Sequence, residues 1–246
     1  MIETKNLRFS YNGMEVLKGI DFKGEKGEFI AVLGPNGAGK TTFLRCLAGI
    51  LDCRGVFVRG KPLNEYSPKE LARILAYVPQ RVEPSFLTVF DTVLLGRRPY
   101  MGLTPSRSDL KSVEEALKKL GIEHLSLKRT KEISGGELQK VSIARALAQE
   151  PQILLMDEPT NNLDLRSQLE VMRLARELAN EGKTVVTVMH DVNLALRFAK
   201  RFIFMKDGKK IADGGLKVLN ERLFEEVYGV KVEIGEIGGV LVVVPI

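Results

Sequence analysis

An apolar run, Phe29-Ile30-Ala31-Val32-Leu33, ends in Gly34-Pro35-Asn36-Gly37-Ala38-Gly39-Lys40-Thr41 and passes into a helical pattern over residues 42–48. Strand, glycine loop, Lys-Thr and helix in that order are the context required by the motif G-x-x-x-x-G-K-[ST]. Glycines let successive backbone N–H groups turn inward as an anion-binding nest. The helix adds its unpaired N–H groups and the positive end of its dipole. Lys40 supplies a full positive charge for β- and γ-phosphates, and the Thr41 hydroxyl is a ligand for Mg²⁺. A nucleoside triphosphate is the ligand this arrangement expects.

At 246 residues the chain is one large domain or one domain with a sizeable insertion, and 44% hydrophobic with 28% charged residues describes a globular protein with a core. No apolar run approaches the roughly 18–20 residues that span a bilayer. Met1-Ile2-Glu3-Thr4-Lys5 has no signal-peptide pattern, so a cytosolic chain is expected. The net charge of +6 is compatible with nucleic acid or an anionic membrane as a partner, but Lys and Arg are spread along the chain and interleaved with Glu. The expectation is a solvated surface of mild positive excess, Arg97-Arg98 and Lys118-Lys119 included. Neither Cys46 nor Cys53 has a second Cys or His at metal-ligand spacing. Free thiols are expected rather than a disulfide, with Cys46 a small core residue.

Strands are expected over residues 2–9 and 16–22, joined across Asn12-Gly13, and over 28–33, feeding the glycine loop. A β-like segment at 55–58 follows, then a helix opened by Ser67-Pro68-Lys69-Glu70 with a capping box, and a strand, Ala76-Tyr77-Val78-Pro79, ending in Gln80. From about 81 to 150 the pattern is helical, with helices over 88–96, 106–120 and 136–149. Strand and helix then alternate: strands at 152–156, 184–189 and 201–206, helices at 164–180 and 191–200. A hairpin at Asp207-Gly208, a last helix over 216–228 and a Gly238-Gly239 hairpin close the chain. The organisation is a mixed α/β core interrupted by a helical insertion.

Three further constellations carry chemistry. Ile153-Leu154-Leu155-Met156-Asp157-Glu158 is an apolar strand ending in two carboxylates, at the edge where open α/β sheets bind ligands. Asp157 is placed to hold Mg²⁺, usually through water, and Glu158 to orient or deprotonate an attacking water. His190 follows the strand at 184–189 and can hydrogen-bond the γ-phosphate or that water. Gln80, at the end of its strand, can reach Mg²⁺ or the water through its amide oxygen. Ser134-Gly135-Gly136-Glu137 opens a helix and has two readings, a capping box and a second anion site, which are compatible.

In order, residues 34–41, Gln80, Ile133-Ser134-Gly135-Gly136-Glu137, residues 153–158, Asn161-Asn162-Leu163-Asp164 and His190 resemble the Walker A, Q-loop, signature, Walker B, D-loop and switch-histidine motifs of the ATP-binding cassette (ABC) ATPases. Tyr11 stands where that family places an aromatic under adenine. The resemblance covers nearly the whole chain and implies an α/β P-loop NTPase core with a mixed sheet, an N-terminal antiparallel β subdomain and an inserted helical subdomain. It implies one nucleotide-binding domain over residues 1–246, with core segments 1–80 and 151–246 and a helical subdomain at 81–150. It implies ATP and Mg²⁺ as ligands, with nucleotide contacts from Tyr11, Gly34, Pro35, Asn36, Gly37, Ala38, Gly39, Lys40, Thr41, Thr42, Ser134, Gly135, Gly136 and Asp164. Metal contacts come from Thr41, Gln80 and Asp157; hydrolysis involves Glu158, His190, Lys40 and Gln80. The signature has Glu137 where the family commonly has Gln, and its charge lies near the phosphate site.

That family sandwiches ATP between the P-loop of one cassette and the signature of another, so for a chain with one of each the resemblance implies a homodimer. Residues 86–100 and Glu226-Val227-Tyr228-Gly229-Val230 are similar to an importer branch that takes up iron–siderophores, haem, cobalamin or related oxyanions. That similarity implies membrane permease partners, a solute-binding protein that delivers cargo, and a place at the cytoplasmic face of the membrane. An exporter subunit is the alternative within the transporter class. Cassette relatives that act on nucleic acid or ribosomes usually carry two cassettes or a long coiled-coil insertion; this chain has neither, and no nucleic acid partner is expected.

Overall fold

The computed structural model describes every residue, Met1–Ile246. In chain order the first elements are β1 (Ile2–Tyr11), β2 (Met14–Gly24), β3 (Phe29–Leu33), α1 (Lys40–Leu47), β4 (Val56–Val58), β5 (Lys61–Pro62), α2 (Pro68–Ala72) and β6 (Leu75–Val78). The middle is helical, with α3 (Val89–Leu94), α4 (Arg107–Lys119) and α5 (Gly135–Ala148) before β7 (Ile153–Asp157) and α6 (Leu165–Asn180). Then follow β8 (Thr184–Val188), α7 (Val192–Phe198), β9 (Arg201–Lys206), β10 (Lys209–Gly214), α8 (Glu221–Tyr228), β11 (Val232–Ile237) and β12 (Val240–Pro245). The chain divides into two compact units, Met1–Glu65 with Arg176–Ile246, and Tyr66–Ala175.

The first unit holds an antiparallel sheet in the order β2-β1-β4-β5 and a mixed sheet whose strands run β10-β9-β3-β8. β3 pairs in parallel with both β8 and β9, and all five of its residues are buried. A strand covered on both faces needs apolar residues at every position, which explains its unbroken Phe-Ile-Ala-Val-Leu run. Phe22 of β2 meets Phe43 of α1 edge-on at 5.5 Å, packing the antiparallel sheet against the helix that follows the glycine loop. The terminal hairpin of β11 and β12 is tied to α7 by one side chain: Asn193 Nδ2 donates to Val243 O at 3.1 Å, and Val243 N donates to Asn193 Oδ1 at 2.8 Å.

In the second unit β6 and β7 pair in parallel, and α3, α4 and α5 pack together around Val89, Val93, Val113, Leu117, Val141 and Ala144. Arg97, read in the sequence as part of a solvated basic cluster, is instead 5% exposed. Its Nε donates to Asp109 Oδ1 at 3.0 Å and its Nη1 to Ala148 O at 2.7 Å, while the guanidinium lies 4.2 Å from the Tyr100 ring. A charge survives burial when paired and fully hydrogen-bonded, and the planar fork of arginine suits that task.

Two other expectations are corrected. Cys46 and Cys53 form a disulfide across a separation of 7 residues, with Cα atoms 5.7 Å apart. The turn after α1 brings the chain back within the span a disulfide bridges, which composition cannot reveal. The helix expected over residues 216–228 is broken: a 3₁₀ turn, Leu216–Val218, precedes α8, and Asn220 stands between them with φ −154°. Its side chain accepts the Leu223 N–H at 2.9 Å, so the apolar periodicity runs through an N-cap.

Candidate functional site

In the first unit β3 delivers the chain into the glycine loop, and only glycine fits its first position. Gly34 has φ +146°, and a Cβ there would lie 2.1 Å from Met205 O. Gly37, at the exposed crest, has φ +79° with open space around it, so the crest leaves room for a ligand. Lys40 opens α1 and is 5% exposed; its Nζ donates to Gly34 O at 2.8 Å and Pro35 O at 2.9 Å. A buried ammonium curled into a glycine loop at a helix N-terminus fits a phosphate chain, because an anion there meets a charge, a dipole and inward N–H groups together. Thr41 and Thr42 follow in the first turn of α1.

Two more sequence candidates belong to this unit. Tyr11, 41% exposed at the end of β1, is braced edge-on by Phe9 at 4.8 Å, which offers its face to a planar base. His190 follows β8, and the register Val32↔Val188 in a parallel pair puts it at the same sheet edge as Gly34. Asp191 then caps α7, its Oδ1 accepting the Leu194 N–H at 2.9 Å, which fixes the backbone beside the histidine.

The paired carboxylates are in the second unit. β7 is buried throughout; Asp157 is fully buried and Glu158 6% exposed. Glu158 has φ +48°, a left-handed conformation costing roughly 1–2 kcal/mol for a residue with a side chain. Two amides hold its carboxylate: Gln80 Nε2 donates to Glu158 Oε2 at 2.5 Å, and Asn161 Nδ2 donates to the same oxygen. The parallel register Val78↔Met156 explains why Gln80 and Glu158, each two residues further on, arrive together. Tyr77, given no role by its sequence context, donates from its hydroxyl to Asp157 Oδ2 at 3.2 Å. It pairs with Leu155, and alternation puts Leu155 and Asp157 on one face, a signal that needed the register to be read.

The second unit also contains the Ser-Gly-Gly-Glu turn. Ser134 Oγ accepts the Glu137 N–H at 3.3 Å and Glu137 Oε2 accepts the Ser134 N–H at 2.8 Å, a complete capping box. The Ser134 N–H first, and then the Ser134 hydroxyl, which also donates to Oε2 at 2.8 Å, hold the Glu137 carboxyl below its ordinary value. A cleft of about 590 Å³ is lined by Ser134, Gly135, Gly136, Lys140, Asn162 and Asp164. Asp164 caps α6, accepting the Ser167 N–H at 2.8 Å, and Lys140 pairs with Glu170 at 3.0 Å. Thus Tyr11, residues 34–42 and His190 belong to the first unit, and Gln80, Asp157, Glu158, residues 134–137 and Asp164 to the second.

The profile of the ABC transporter family matches residues 17–161. An uncharacterized ABC transporter ATP-binding protein of Methanocaldococcus jannaschii is 45% identical over 249 residues, covering 100% of this chain and 98% of its own. The hemin import ATP-binding protein HmuV of Bordetella avium is 37% identical over 245 residues, covering 95% and 94%. Among solved structures, an inward-facing putative metal-chelate type ABC transporter matches with TM-score 0.82 and 29% identity over 100% of this chain and 96% of that one. The dimeric structure of a bacterial ABC transporter cassette matches with TM-score 0.79 and 33% identity, covering 88% and 99%.

Proposed function

Since this chain belongs to the ABC transporter family, whose members hydrolyse ATP, we propose that it is the ATPase subunit of an importer for haem or a related metal chelate. The observation that carries the ATPase reading is the pairing of chemistries in one chain: a glycine loop with buried Lys40, and a buried Glu158 pinned by two amides. The importer reading is supported by likeness along the whole chain to a metal-chelate type transporter and by the haemin import relatives. No helix of the chain is long and apolar enough to cross a membrane; in this reading a membrane permease provides the passage.

Lys40 and the N–H groups of residues 37–41 bind the phosphates, and Tyr11 stacks on the adenine. Oxygen donors suit a hard cation, and Thr41, Asp157 and Gln80 provide a hydroxyl, a carboxylate and an amide oxygen. With Nε2 of Gln80 turned to Glu158, its carbonyl oxygen is the atom that would hold the cation. Mg²⁺, when bound, neutralises charge on the β- and γ-phosphates. Glu158 orients the attacking water and accepts its proton, and His190 hydrogen-bonds the γ-phosphate. Ser134, Gly135 and Gly136 contact the nucleotide of a second copy, so the working form is a homodimer closed by ATP and reopened by hydrolysis. The dimer docks on its permease at the cytoplasmic membrane face, and a solute-binding protein delivers the cargo.

The test is reconstitution of the chain with its permease in proteoliposomes. ATP-dependent uptake of haem, an iron–siderophore or cobalamin when the matching binding protein is added supports the importer; ATP-dependent release of cargo from the ATP-accessible side overturns it.

A further inference from the structure

Leu75, Ala76 and Val78 of β6 are apolar and buried; the fourth residue of the strand is Tyr77, half-buried. A strand in that setting favours apolar side chains, and a tyrosine is admitted where its hydroxyl finds a partner. The partner is Asp157, fully buried at the end of β7, whose Oδ2 accepts the Tyr77 hydroxyl at 3.2 Å. Just beyond the end of the same strand, Gln80 donates from Nε2 to Glu158 Oε2 at 2.5 Å. One strand therefore brings a donor to each of two adjacent carboxylates. The parallel register Tyr77↔Leu155 and Val78↔Met156 delivers both.

A carboxylate turns about a broad, roughly two-fold terminal torsion, so burial by itself leaves its plane unset. A donor to one oxygen sets that plane. The setting matters for Mg²⁺, which demands near-octahedral geometry from its oxygen ligands. Outer-shell hydrogen bonds to ligating carboxylates are a recognised means of orienting them. A phenylalanine at position 77 would fill nearly the same volume and leave the Asp157 carboxylate without this donor.

We propose that Tyr77 is a positioning residue of the cation site: by donating to Oδ2 it fixes the plane of the Asp157 carboxylate, which then meets Mg²⁺ already oriented. The proposal rests on reading Asp157 as a ligand of the cation. Tyr77 touches neither nucleotide nor cation; it acts through Asp157. Its hydroxyl carries no charge, so its effect is confined to the part of nucleotide binding that depends on the metal.

The experiment measures Kd for ATP twice, in excess Mg²⁺ and in EDTA, for wild type, Tyr77→Phe, Asp157→Asn and the double variant. In Tyr77→Phe the Kd in Mg²⁺ is expected to rise about 10-fold, while the Kd in EDTA stays within about twofold of wild type. That is the lower end of the roughly 10- to 100-fold carried by outer-shell partners, because 3.2 Å is long for an O–H···O bond. In the Asp157→Asn background the same change is expected to shift the Kd in Mg²⁺ by less than about twofold, because the coupling passes through Asp157. A tyrosine that only supports the fold moves both Kd values together or neither. Parallel weakening in Mg²⁺ and in EDTA, wild-type affinity in both, or an equal loss with and without the Asp157 carboxylate overturns the proposal. Asp157→Asn with the wild-type ratio of the two Kd values overturns the cation reading itself and the role of Tyr77 with it. A diminished ratio in Asp157→Asn beside an unchanged one in Tyr77→Phe overturns only the role of Tyr77.

Discussion

Glu158→Gln isolates the charge of one carboxylate from its architecture. Gln80 and Asn161 both donate to Oε2, so a glutamine can present its single carbonyl oxygen to the same two amides. The left-handed backbone at φ +48° is no harder for Gln than for Glu. Folding and nucleotide affinity are therefore expected to survive, with the apparent Tm within a few degrees of wild type. On the proposed mechanism the lost component is proton acceptance from the attacking water, about 10²–10⁴-fold in rate, or about 2.7–5.5 kcal/mol of barrier. Phosphate release under saturating Mg-ATP measures that loss. Light scattering on the same sample is expected to show a dimer, since in the proposed cycle ATP bridges the two copies and here is not consumed. Glu158→Ala serves as the control: it leaves two partly buried amides without their acceptor, at about 1–3 kcal/mol of stability. Turnover of Glu158→Gln within tenfold of wild type, or a monomer at saturating nucleotide, refutes the role given to Glu158.

The glycine loop offers a graded comparison. Gly34→Ala drives a Cβ to 2.1 Å from Met205 O and is expected to abolish nucleotide binding, whereas Gly37→Ala meets open space and carries only the strain of its positive φ, roughly 1–2 kcal/mol; equal effects in titrations of Mg-ATP would contradict the geometry. Reducing the Cys46–Cys53 disulfide, which spans a separation of 7 residues, is expected to lower stability by about 2–3 kcal/mol, read as a drop in Tm with dithiothreitol that Cys53→Ser does not show. The Glu137 carboxyl is held below its ordinary value of 4.5, chiefly by the Ser134 N–H. A depressed carboxyl stabilises the fold at neutral pH and loses that contribution as pH falls through its folded value. The stability gap between wild type and Glu137→Ala in urea is therefore expected to shrink from about pH 6 to about pH 3, and a gap independent of pH would sink the cap.

Features written in neighbouring residues are legible in the amino-acid sequence. The run Phe29 to Leu33, the glycines after it and Lys40 declare a strand, loop and helix because each step depends on its immediate successor. The box at Ser67 and Glu70 is equally local, and the structure forms it with Ser67 N donating to Glu70 Oε2 at 2.8 Å. Illegible features depend on partners distant in the chain. Arg97 looked like surface because its partner Asp109 and the Ala148 carbonyl come to it only when the helices pack. Tyr77 became a partner of Asp157 through a strand register that no composition reveals. The break at Asn220 was masked because the apolar positions of α8 and the preceding turn keep one period across it. Gln80 stood out by its place at a strand end, but its hold on Glu158 required the parallel pairing of β6 and β7.

The cysteine bridge gives this polypeptide two mechanical forms that differ only by a pair of electrons. Oxidised, the far end of the helix that begins at Lys40 is stapled to the following turn; reduced, that end is held by the packing of Leu44 and Leu47 without the staple. Preparations handled with and without thiol reagents are therefore different specimens, and their turnover numbers belong in separate columns. A cell that keeps its thiols reduced runs the looser form, and one that lets them oxidise runs the stiffer.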